Sequence, residues 1–405
     1  MKSSEVIVLI VREEYLELLS HFRDKNVIKV VTGIRRCGKS TLFQLYQERL
    51  REEGVEGRRI LTINLEEGEY RNICTAESLY QFIEQQLTED GIHYVFLDEI
   101  QQVEEFEKAV DWLYTKKNVD LYITGSNAFL LSGELATYLS GRYVQIKMLP
   151  LSFREYLSAV PDATDLGQQY LRYIQNSSFP GTLELSGSQE IRIYMEGIYS
   201  SILLKDIMTR RKITDAAMLE SVIRFLFDNI GNICSARKIS NTMTSAGRKI
   251  SVPTVENYIS ALTDSYILYK AERYDIKGKQ YLATGVKYYI ADIGLRYYLL
   301  GTKPADMGHI LENVVYLELL RRGNEVYVGK MGEDEVDFIA VSGEGMEYYQ
   351  VALTVLDEST LLRELKPLDA IRDHNPKYLL TMDYTPLTSH NGIKQINVLN
   401  WLKGD

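Results

Sequence analysis

Eight residues, Gly33-Ile34-Arg35-Arg36-Cys37-Gly38-Lys39-Ser40, follow the spacing G-x-x-x-x-G-K-[ST]. That spacing suits the binding of a polyphosphate. Backbone N–H groups must converge on the phosphates, and glycine lets the chain turn tightly enough to do so. Lys39 would reach the β- and γ-phosphates, and the Ser40 hydroxyl would ligate Mg²⁺. Arg36, Cys37 and Gly38 within the loop and Thr41 just after it complete the candidate nucleotide contacts, with Gly33 at its entrance. A β-branched run before the loop and a helical pattern after it give the required context, and the helix N-terminus adds a dipole favourable to anions.

A second carboxylate-bearing segment, Tyr94-Val95-Phe96-Leu97-Asp98-Glu99, ends an apolar strand with two acids. Asp98 fits the role of holding Mg²⁺, and Glu99 that of a base polarising the attacking water. The pair favours hydrolysis over phosphoryl transfer to an acceptor. A further apolar run, Leu121-Tyr122-Ile123-Thr124, ends in Gly125-Ser126-Asn127. If its strand lies between the other two, Ser126 or Asn127 could orient the water or sense the γ-phosphate; the same residues could instead cap the next helix. Arg142, after Ser140-Gly141, is either an arginine finger, acting in cis or on a neighbouring subunit, or a surface ion-pair residue. Arg35 and Arg36 could face the phosphates or solvent.

These residues need a scaffold. Apolar runs at 27–32, 60–65, 94–97, 121–124 and 143–148 alternate with helical segments such as 41–50 and 105–114, predicting a parallel sheet covered on both faces. After Pro150 the pattern turns helical. Ser235 and Ser251 could cap two helices, at 236 onward and 253–263, with strands at 268–271 and 288–290, giving a winged-helix outline over 231–275. Beyond 306, a helix at 310–321 and strands at 326–328, 336–341 and 348–355 form an α/β tail. The expected divisions are 1–160, 161–275 and 276–405.

The 405 residues exceed one ordinary core, and 45% apolar with 25% charged residues is globular usage. A net charge of −10 excludes a generally basic coat, so any nucleic-acid contact must be a local patch. Cys37, Cys74 and Cys234 show neither metal-ligand spacing nor a disulfide framework, which fits a reducing cytosol. The apolar run 6–11 is cut short by Arg12-Glu13-Glu14, and no stretch approaches the ~18 apolar residues of a membrane span. A soluble, cytoplasmic protein without a membrane partner is expected.

The loop with Thr41, Phe96-Leu97-Asp98-Glu99-Ile100-Gln101, Thr124-Gly125-Ser126-Asn127, Leu139-Ser140-Gly141-Arg142-Tyr143 and Pro150-Leu151-Ser152-Phe153-Arg154-Glu155 together resemble the AAA-type, archaeal-ATPase-like P-loop proteins with a C-terminal domain of unknown function. The resemblance implies a P-loop NTPase α/β core with an additional central strand and a catalytic glutamate. A winged helix and a restriction-endonuclease-like tail would follow. It also implies ATP rather than GTP, in keeping with the lack of an Asn-Lys-x-Asp run. The nucleases of that fold carry an Asp followed by Glu-x-Lys. Here Asp337 supplies the Asp and Glu312 an upstream acid, but Gln350-Val351-Ala352 stands where Glu-x-Lys would. Gln is a poor Mg²⁺ ligand and Ala brings no ammonium, so nuclease chemistry is not expected. Arg237, Lys238, Arg248 and Lys249 could touch DNA phosphates, although Asn257 is nearly the sole base-reading side chain on 254–262. DNA, a protein client and further copies of the chain are the candidate partners besides ATP.

Overall fold

The computed structural model describes residues 10–126, 139, 141–160, 164–302, 306–384 and 388–404. It divides into two compact units, one of 1–150 with 264–266, the other of 151–263 with 267–405.

The first unit is built on five strands, β1 (Ile28–Thr32), β2 (Ile60–Asn64), β3 (His93–Asp98), β4 (Val119–Gly125) and β5 (Tyr143–Lys147). They lie in the order β2-β3-β4-β1-β5, and every pairing is parallel. β4 therefore stands between the strand that leads into the phosphate loop and the strand that ends in Asp98, as an additional central strand should. Side-chain alternation divides β3 between two faces. Val95 and Leu97 join Ile28, Val30, Leu121 and Ile123 against helices Ala76–Glu84 and Phe106–Tyr114. Phe96 points the other way and stacks on Tyr122 at 4.6 Å, with Phe43 of helix Lys39–Glu52 edge-on at 5.1 Å. Covered on both faces, β1 and β3 are buried throughout, which explains their largely apolar character; the buried Lys29 of β1 is paired with Asp120.

The second unit opens with helices, among them Phe153–Ala159, Leu166–Asn176, Ser188–Ile198 and Ala216–Asp228. Ser152 and Glu155 form a capping box at the first of these. Ser235 accepts from Lys238 N–H at the start of helix Ala236–Ser245, and Ser251 from Thr254 N–H at helix Val252–Asp264. β6 (Leu268–Asp275) and β7 (Gln280–Ile290) then form an antiparallel hairpin. The remaining strands are β8 (Glu325–Met331), β9 (Asp334–Ser342), β10 (Gly345–Ala352), β11 (Lys377–Thr381), β12 (Thr388–His390) and β13 (Ile393–Asn397). All belong to one eight-stranded sheet of order β12-β13-β11-β10-β9-β8-β6-β7.

Two of the expected divisions meet this architecture differently. The compact units part at Pro150, not at 160. The expected 275/276 boundary cuts a continuous sheet, because Arg273, Tyr274 and Asp275 of β6 pair in parallel with Val328, Gly329 and Lys330 of β8.

Candidate nucleotide site

In a parallel sheet all strands end on the same side, so the loops after β1, β3 and β4 gather at one edge. The loop after β1 is fixed by close backbone approach. A Cβ on Gly33 would stand 2.1 Å from the Met148 carbonyl oxygen, so no other residue fits there. Gly38 is left-handed (φ 102°) and starts helix Lys39–Glu52, whose first turn has neither an acidic residue nor a capping side chain. Its N–H groups and positive dipole end are thus available to an anion. Cys37 is fully buried, with its thiol pushed up by burial and its Sγ donating to Met148 O at 3.6 Å. It contributes backbone and packing, not a reactive thiolate. Arg36 is exposed with φ 70°, Arg35 pairs with Glu66 at 2.8 Å, Ser40 is exposed and Thr41 half-buried.

Lys39 is 4% exposed, and its ammonium donates to Gly33 O (3.2 Å), Ile34 O (3.4 Å) and Ser126 Oγ (2.9 Å). Ser126 in turn donates to Glu99 Oε1 at 2.7 Å, and Lys39 Nζ lies 3.8 Å from that same oxygen. The loop lysine and the second acid therefore share one pocket. Asn127 and Ser140 lie outside the described residues.

Three side chains that the sequence reading gave no role complete this arrangement. Thr124 at the end of β4 is fully buried; its hydroxyl donates to Asp98 Oδ1 and accepts from Glu99 N–H at 3.0 Å. Gln101 donates its amide N–H to Glu99 Oε2. Glu99 itself is left-handed (φ 51°), an uncommon conformation for glutamate that these bonds offset. Arg12, upstream of the whole motif, donates to Cys37 O at 3.1 Å. Neither Thr124 nor Gln101 has a diagnostic spacing, although both fall inside the motif runs.

Arg142 is placed elsewhere. It immediately precedes β5, whose Tyr143 pairs with Ile28 at the start of β1, so it lies at the sheet edge opposite the phosphate loop. Its guanidinium meets Asp111 at 2.6 Å and covers the Tyr114 ring at 5.5 Å. This register keeps the side chain away from the phosphate loop of its own chain, where it forms a surface ion pair.

The acids of the tail also converge. Glu312, on helix Met307–Arg321, accepts from Lys287 Nζ (2.9 Å) and Tyr289 OH (2.6 Å), and Lys287 also meets Glu335 at 2.7 Å. Asp337 Oδ2 accepts from Val351 N–H at 2.8 Å, while Gln350 takes Asp337 N–H on its Oε1 and gives Nε2 to Glu364 at 2.9 Å. Burial and the charge of Glu312 push the Asp337 carboxyl well above the usual range. An ammonium is therefore present, but it comes from β7 and is committed to two carboxylates. Among the described residues no group of three or more His, Cys, Asp or Glu is arranged to hold a metal ion. Of the four candidate DNA contacts, all are exposed, but Arg248 folds back on Ala217 O (3.1 Å) and Ser221. No helix among the described residues is long and apolar enough to cross a membrane.

A family model described as an AAA domain matches residues 25–157, and one described as a domain of unknown function matches residues 167–306. A protein of Haemophilus influenzae, described as uncharacterised, is 42% identical over 399 residues, covering 97% of this chain and 98% of its own. One of Methanocaldococcus jannaschii, likewise described, is 30% identical over 365 residues, covering 86% and 79%. The Walker-type ATPase of Pyrococcus abyssi is similar in fold, with a TM-score of 0.51 at 16% identity over 72% of this chain and 95% of that one. With an additional-strand parallel sheet, a glycine-gated phosphate loop and a relative matching almost end to end, the chain belongs to the AAA-type, archaeal-ATPase-like P-loop family whose C-terminal region is a domain of unknown function.

Proposed function

We propose that the protein is a Mg²⁺-dependent ATP hydrolase that uses the nucleotide to change how its second unit is displayed to a partner. The observation that carries the reading is the chain Lys39–Ser126–Glu99, which puts the loop ammonium and a water-polarising carboxylate in one buried pocket. ATP would rest its phosphates on the backbone of 33–38 and the start of helix Lys39–Glu52. Ser40 and Asp98 fit Mg²⁺ chemically, a hydroxyl and a carboxylate beside phosphate oxygens, and a bound Mg²⁺ would neutralise phosphate charge. Lys39 supplies further charge to the β- and γ-phosphates. Glu99 takes a proton from the attacking water, while Ser126 and Gln101 fix the direction of its carboxylate. Thr124 holds Asp98 and the Glu99 backbone in register.

The display reading is tested by hydrogen exchange of the second unit with ATP and with ADP, alongside phosphate release with and without EDTA. Different exchange and EDTA-sensitive release support it. Identical exchange with both nucleotides would reject the switch, and absence of release would reject the hydrolase.

For the second unit we infer a binding role without nuclease chemistry. Gln350 replaces a carboxylate, and Lys287 is tied into Glu312 and Glu335. Incubation with duplex DNA and Mn²⁺ should leave it intact; cleavage that Asp337→Ala removes would overturn this. A winged-helix contact with DNA has exposed Arg237, Lys238 and Lys249 in its favour. A finger role for Arg142 would require a second copy of the chain.

A further inference from the structure

We propose that Arg12 is a positioning residue for phosphate, acting by aiming the Gly38 N–H into the cradle. This rests on the nucleotide-binding reading above. Arg12 is 3% exposed, so its guanidinium has left water almost entirely. It donates to Cys37 O at 3.1 Å, to Leu149 O at 2.9 Å and to Pro150 O at 3.4 Å, and its Cζ sits 4.7 Å from the Tyr15 ring centroid. A trans peptide is planar, and its C=O and N–H point in opposite directions. Holding the Cys37 carbonyl towards Arg12 therefore turns the N–H of the same peptide, that of Gly38, away from Arg12. Gly38 begins helix Lys39–Glu52, so that N–H belongs to the donors an anion would meet. A charged donor on the carbonyl also polarises the peptide and strengthens its N–H.

The same guanidinium ties the loop to its backing. Leu149 and Pro150 directly follow Met148, whose carbonyl oxygen confronts Gly33 and accepts from Cys37 Sγ. Both ends of the loop are thus referred to one short segment, and Arg12 is the bridge at the Gly38 end. Tyr15 touches that segment too, through Leu149 N–H at 3.2 Å to its hydroxyl, but this bond does not reach the loop.

That difference supplies the experiment. Full-length Arg12→Met, Arg12→Lys, Tyr15→Phe and Lys39→Ala proteins are compared by calorimetric titration with ATP and ADP, at a temperature where melting curves show each to be folded. Arg12→Met should raise both Kd values about 10-fold or more, corresponding to the loss of one charge-assisted interaction. Arg12→Lys, able to serve fewer of the three carbonyls, should fall between it and the parent. At saturating ATP, kcat should stay within about 2-fold, because the reacting groups are untouched. Tyr15→Phe should bind like the parent. If Arg12→Met does not fold, Arg12→Lys against Tyr15→Phe carries the comparison. Unchanged Kd in the folded Arg12 variants, or equal weakening in Tyr15→Phe, overturns the proposal. A parent no better than Lys39→Ala would instead overturn the nucleotide site itself.

Discussion

Lys39 Nζ and Glu99 Oε1 stand 3.8 Å apart, with Ser126 bonded to both. A lysine that follows β1 and a glutamate that follows β3 can meet this way because only β4 separates their strands and Ser126 directly follows it.

Glu99→Gln should retain ATP binding and lose turnover by about 10²- to 10³-fold, the range of a removed general base. The amide keeps the size and still accepts from Ser126. Steady-state phosphate release equal to the parent's would reject the base assignment.

Lys39→Ala should abolish measurable ATP binding, since it takes away the buried charge we propose for the β- and γ-phosphates and leaves Ser126 Oγ without its donor. Calorimetry is the check, and an unchanged affinity would refute the phosphate-site assignment.

Ser126→Ala removes the bridge but neither charge. Turnover should drop about 10-fold with ATP affinity close to the parent's, the value of one hydrogen bond to a charged group. A large loss of affinity with normal kcat would show that Ser126 serves binding instead.

The fold's core and the acid pair were open to sequence reasoning because both are local signals. The central strands of the first unit are short, largely apolar runs; Gly33 directly follows one of them, Asp98 ends another, and Lys39 opens the helix after the loop. Thr124 and Gln101 had no such mark, since a hydroxyl or amide beside a motif residue has no period. Sequence left Arg142 open between a finger and a surface ion pair because it carries no direction: a residue just before a strand lies at the edge of a parallel sheet opposite the loops that follow the strands. Lys287 and Glu312 belong to different elements with no fixed spacing, so only the fold pairs them. Arg12 precedes the motif altogether and acts on backbone, which leaves no trace in residue types.

A pH experiment tests the tail. Burial, followed by repulsion from Glu312, raises the Asp337 carboxyl well above its usual range despite Lys287. The folded protein therefore holds this proton more tightly than the unfolded chain does. The associated stability is present below the unfolded value of ~3.9 and declines as pH rises towards the folded one. Asp337→Asn, still able to accept from Val351 N–H, removes that decline. The variant should melt at a higher temperature than the parent at pH 8, with the difference shrinking as pH approaches 4. A variant less stable at pH 8 and equal at pH 4 would reverse the sign and refute the account.

The pairing of β6 with β8 limits where the chain can be cut. Severing it after residue 275 would strip the β8 edge of its neighbour, exposing a row of amides and carbonyls to any extended segment that meets it. A fragment beginning at 276 should therefore aggregate, and dissection of the second unit has to keep the hairpin with the tail.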